Sequence, residues 1–77
     1  MEATEFKIGA TYISTVNRDL NLNGLLFKEG DTLTFTITEL LPCNKDWKYL
    51  RAKVKGSVHD WDRVCIMDLV HVSELPN

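Results

Sequence analysis

Cysteine, proline and long apolar runs are all scarce in this chain. Two cysteines, Cys43 and Cys65, are too few for the disulfide framework of a small secreted domain, so free thiols are the expectation. Two prolines and four scattered glycines leave no low-complexity tract. Gly9, Gly24, Gly30 and Gly56 stand apart as turn glycines, and no glycine-rich phosphate loop occurs. No apolar run approaches the ~20 residues a bilayer-spanning helix needs, so no membrane partner is expected. The N-terminal MEATEFKIGA is acidic and lacks the charged and apolar regions of a signal peptide, which makes a cytoplasmic location the expectation. A net charge of −2 excludes coating of nucleic acid by bulk attraction, but it leaves room for a local basic patch.

What the chain does have is alternation. In Thr32–Leu40, Leu33, Phe35 and Ile37 interleave with Thr32, Thr34, Thr36 and Thr38, the period of a strand with one face buried. In Trp47–Lys55 the residues Leu50, Ala52 and Val54 fall on one face. Trp47, Tyr49, Arg51, Lys53 and Lys55 fall on the other. Phe6–Val16 reads as a first strand, with Phe6, Ile8, Ala10 and Tyr12 on one side. Asn17–Gly24 is rich in Asn and reads as a loop folded back onto the body through Leu20 and Leu22. Lys28–Asp31 (KEGD) and Pro42–Asp46 (PCNKD) read as turns. Val58–Val64 has weak periodicity, and Cys65–Val72 reads as a strand broken by one helical turn near Met67-Asp68.

These signals predict one all-β domain over 1–77, a small five-stranded barrel with its core in 6–72 and a tail over 73–77. At 77 residues the core is near the lower size limit for an unstapled domain, so a partner or self-association is expected to add stability.

The order of signals over Leu25–Val72 resembles the Src-homology-3-like small barrel. LLFKEGDTLTFTI is similar to that family's Lys-x-Gly-Asp turn and second strand. DWKYLRAKVKG resembles its Asp-Trp-x-x-x-Arg-Ala strand, and RVCIMDLVHV stands where it has a strand, one helical turn and a closing strand. Members that bind proline-rich peptides use a Tyr-rich segment near the start, a Trp after the loop, and a Pro and Tyr in the last helical turn. Trp47 matches the Trp, but Ile66 and Leu69 stand at the Pro and Tyr positions, and no Tyr-rich segment precedes Asn17. The resemblance therefore implies the scaffold rather than proline-rich recognition.

Candidate binding residues are Trp47, Tyr49, Arg51, Lys53 and Lys55 on the outer strand face, together with Trp61 between Asp60 and Asp62. Aromatics anchor protein partners or stack on bases, while Arg and Lys pair with carboxylate or phosphate. The alternative is a solvated strand face whose lysines protect an edge, with Trp61 packed inward and its aspartates wet. The threonine face of Thr32–Thr38, if it lay on an edge strand, would suit β-augmentation.

His59, Asp60, Asp62, Cys65 and His71 fit no paired metal-ligand spacing, and neither cysteine has the surroundings of a catalytic thiol in a barrel this small. The expectation is a non-enzymatic protein-binding module without cofactor or metal, acting as a regulator, inhibitor or accessory subunit. Binding of single-stranded or structured nucleic acid through Trp47, Tyr49, Arg51 and Lys53 is the alternative, and a homo-oligomer is a third reading.

Overall fold

Apolar residues alternating with β-branched ones commit much of this chain to strands. A computed structural model describes residues 6–40 and 49–76. The strands are β1 (Thr11–Val16), β2 (Leu20–Leu22), β3 (Leu25–Phe27), β4 (Thr32–Leu40), β5 (Tyr49–Val54), β6 (Asp62–Cys65) and β7 (Leu69–Glu74). A single 3₁₀ turn, Ile66–Asp68, joins β6 to β7. The expected helical turn near Met67 is thus present. Five strands form one antiparallel sheet in the order β6-β5-β4-β1-β7, and β2 and β3 form a separate hairpin. No described helix is long and apolar enough to cross a membrane.

The expected inward faces are buried as the alternation requires. Leu33, Phe35 and Ile37 of β4 meet Leu50, Ala52 and Val54 of β5, with Phe35 opposite Val54 and Ile37 opposite Ala52. Tyr12 and Val16 of β1, Val64 of β6, and Leu69 and Val72 of β7 complete the core. Tyr12 stacks on Phe35 at 5.8 Å between ring centroids and meets Phe6 edge-on at 5.1 Å. Its buried hydroxyl accepts the Lys7 backbone N–H at 2.8 Å, so no polar atom is left unpaired there. Buried Ser14 solves the same problem by donating its hydroxyl to the Leu33 carbonyl.

Several expectations are corrected. The sheet is open rather than a closed barrel among the described residues, since β6 and β7 are its two edges. The first strand begins only at Thr11. Gly9, at φ +90°, turns the chain, with Ala10 N–H bonded to the Lys7 carbonyl, and Ile8 is left exposed instead of sharing the Tyr12 face. The Asn17–Gly24 loop contains strand β2, which pairs with β3 around Asn23 and Gly24. The threonine face belongs to β4 at the centre of the sheet, paired on both sides, so it has no free edge to augment. Trp47 lies outside the described residues, as does Cys43.

Candidate functional site

The outer face of β5 is reorganised by a bulge in its neighbour. The β4–β5 register shifts between Ile37 and Glu39, which leaves Thr38 as an extra residue whose hydroxyl donates to the Arg51 carbonyl. Without that residue Glu39 would follow the inward face set by Leu33, Phe35 and Ile37. With it, Glu39 lies directly opposite Arg51, on the exposed side. On the far side of β5, Arg51 pairs in register with Arg63 of β6. A row of carboxylate, guanidinium and guanidinium therefore crosses three strands.

Each arginine is also matched to an aromatic ring. The Arg51 guanidinium lies 4.3 Å from the Trp61 ring centroid, and its Nη1 reaches Glu39 Oε2 at 3.1 Å. Its Nε is buried without a hydrogen-bond partner among the described residues, and the π face of Trp61 supplies favourable electrostatics to the cation in place of a bond. The Arg63 guanidinium lies 5.5 Å from the Tyr49 ring centroid. Trp61 is 42 % exposed, neither swallowed by the core nor fully wet.

The predicted site residues separate into those this geometry unites and those it does not. Tyr49, Arg51 and Trp61 share one surface. Lys53 does not present a free cation there. Its Nζ donates to the Ser57 carbonyl at 3.0 Å and the His59 carbonyl at 2.5 Å, closing the loop between β5 and β6. Lys55 lies past the end of β5, exposed in the turn around Gly56. The position of Trp47 is not among the described residues.

Asp62 overturns the picture of two wet carboxylates flanking Trp61. It is 1 % exposed and accepts hydrogen bonds from Asn23 Nδ2 at 2.6 Å and from the Ser57 hydroxyl at 2.8 Å. Buried charge is tolerated when it is this well bonded. The result fastens the tip of the β2–β3 hairpin to the start of β6. A second fastening lies at the other end of the hairpin, where Arg18 Nε donates to Asp68 Oδ1 at 2.7 Å and Asn17 Nδ2 donates to the Met67 carbonyl at 2.9 Å. The hydrogen bond from Arg18 to Asp68, reinforced by the carboxylate's charge, holds the guanidinium pKa above the usual arginine value.

Between hairpin and sheet lies a groove of about 580 Å³, lined by Leu20 and Leu22 on one side and Tyr49, Arg63 and Cys65 on the other. Arg63 and the two leucines are the functional candidates that sequence reasoning missed. Arg63 sits in a stretch of weak periodicity, so only the β5–β6 register shows that it shares a face with Tyr49 and Arg51. Cys65 carries a free thiol at the groove wall. Among the described residues no three His, Cys, Asp or Glu side chains converge as metal ligands. No family model matches the chain, and neither a curated protein nor a solved structure matches it.

Proposed function

We propose that the protein is a non-enzymatic, cytoplasmic binding module of Src-homology-3-like build that recognises a protein and acts as a regulator, inhibitor or accessory subunit of a larger complex. The observation that carries the reading is the pair of guanidinium–aromatic contacts, Arg51 on Trp61 and Arg63 near Tyr49, side by side on the open outer face of β5 and β6. Trp, Tyr and Arg are the side chains most enriched at protein–protein hot spots. They offer apolar area and charge with little freedom left to lose, because each ring already holds its arginine in place. The build is supported by the Lys28–Asp31 turn that feeds β4 and by the succession of strand, single helical turn and closing strand over Asp62–Glu74.

Nucleic acid fits this face less well. Glu39 pairs with Arg51, Asp68 pairs with Arg18, and Lys53 is committed to two carbonyls, so three of the nearby cations are already engaged. A phosphate backbone would meet carboxylates next to its contacts.

Native purification of the tagged chain from its source cells tests the proposal, with single-stranded DNA and RNA gel shifts run in parallel. The expected result is a stoichiometric protein that the Trp61→Ala and Arg51→Ala variants lose, with only mild dependence on salt. Retention of nucleic acid that falls steeply with salt would overturn the reading, and so would a purification that recovers no protein partner.

A further inference from the structure

Strands β2 and β6 each have an edge that no described strand covers, since β2 pairs only with β3 and β6 only with β5. They also run side by side in opposite directions. Asn23, just past the end of β2, is bonded to Asp62 at the start of β6. Asn17 and Arg18, just before β2, are bonded to Met67 and Asp68, just past β6. Both ends are therefore fastened while the middle is open. No backbone hydrogen bond joins Leu20–Leu22 to Arg63–Cys65, and the groove of about 580 Å³ occupies that interval. Its size falls in the range of roughly 300–1,000 Å³ typical of binding clefts.

The lining has a definite charge logic. Of its two carboxylates, one has an ion-pair partner among the described residues. Asp68 is held by Arg18, and Asp19 accepts the Glu29 backbone N–H at 3.0 Å. Arg63 lies near Tyr49 and has no carboxylate partner among the described residues. The groove thus offers one uncommitted cation beside the apolar side chains of Leu20, Leu22 and Met67.

We infer that the slot between β2 and β6 takes an extended segment of a protein partner that alternates apolar and acidic side chains. An extended backbone has the shape of a gap between two antiparallel strand edges, and the edge of β6 supplies main-chain donors and acceptors for β-augmentation. Successive side chains of such a segment point to opposite sides. One set meets Leu20 and Leu22, and a carboxylate of the other set meets Arg63 as a charge-assisted pair. This inference rests on the protein-binding reading and adds the place and chemistry of the partner.

The test is selection from a random peptide library displayed against the intact chain, followed by amide chemical-shift mapping of the best peptide. The expected outcome is a consensus alternating apolar residues with Asp or Glu, shifting the amides of Leu20–Leu22 and Arg63–Cys65. The Arg63→Glu variant, checked as folded by its amide spectrum, should bind that peptide about tenfold more weakly and should select Lys or Arg at the acidic position. A proline-rich consensus, a shift pattern on the outer threonines of β4, or unchanged affinity in Arg63→Glu each overturns the assignment. So does a sizing experiment in which a second copy of the chain fills the slot. If selection yields nothing while native purification still recovers a stoichiometric protein, the slot assignment falls and the module reading stands. If both are empty, both fall.

Discussion

Asp62 shows how far one residue's environment can depart from its neighbours in sequence. Asp60 is exposed two positions earlier, whereas Asp62 is buried because the alternation of β6 turns it inward beside Val64. Its two acceptors satisfy the Asn23 amide and the Ser57 hydroxyl, and Ser57 in turn accepts the His59 backbone N–H. Removing the carboxylate takes away both hydrogen bonds and leaves a void where the buried side chain of Asp62 sat, although the exposed Asn23 and half-buried Ser57 can still reach water. Asp62→Ala is expected to cost about 1–3 kcal/mol through the loss of hydrogen bonds to a buried carboxylate, while Asp60→Ala costs close to nothing. Urea denaturation of the two variants decides the point. Equal midpoints would show that Asp62 is no structural clasp. Arg18 behaves differently with pH. Asp68 raises its pKa above the unfolded value, so the stability it contributes is complete below that value and is lost only as pH rises through the higher folded one. That window lies at strongly alkaline pH, so acid does not release this fastening through the arginine.

The β2–β3 hairpin is the element on which the groove depends, and its turn is its weak point. Leu22 and Leu25 flank Asn23 and Gly24, both at positive φ, the backbone of a two-residue hairpin turn with the right twist. The Asn21 side chain supports it by accepting the Gly24 N–H at 2.7 Å. A Cβ at Gly24 would meet nothing within 4 Å, so Gly24→Ala isolates the conformational cost. That cost is about 1 kcal/mol. The check is hydrogen exchange, with faster exchange expected across Leu20–Phe27 than across β4 in the variant, and no change relative to the parent counting against it. The Asn-Gly signal was legible in the sequence, but it was masked by a stretch so rich in turn formers that it read as one loop. The strands β4 and β5 were readable because one buried face imposes a strict period of two. Two bulges were not readable. Thr38 flips Glu39 outward, and His71 takes φ +54° where the β1–β7 register shifts, though neither residue is the glycine that usually announces such a position. The Tyr49–Arg63 and Arg51–Trp61 pairs depend on how β5 meets β6, and local patterning does not encode that meeting. That β5 carries aromatics and cations on its outer face was readable, but which ring meets which cation was not.

At the scale of the molecule, the sheet brings the first and last described strands together. β1 pairs with β7, with Tyr12 opposite Glu74 and Val16 opposite Leu69, and the Leu75 backbone N–H donates to the Thr11 carbonyl at 2.8 Å. The edge strand β7 supplies Leu69 and Val72 to a core whose other walls are β1, β4, β5 and β6. An edge strand is often dispensable in a large sheet, but a domain of this size has little core to spare. Ending the chain after Asp68 would keep the 3₁₀ turn, the groove lining and both hairpin fastenings in sequence, yet it would uncover Tyr12 and Val16 along the whole length of β1. The truncated chain is therefore expected to lose cooperative unfolding, in calorimetry and in near-ultraviolet circular dichroism alike, although every residue of the groove is still present. A sharp transition in that chain would mean that β1 to β6 fold without β7. The groove would then be a property of the hairpin and the other four sheet strands alone, rather than of the complete five-stranded sheet.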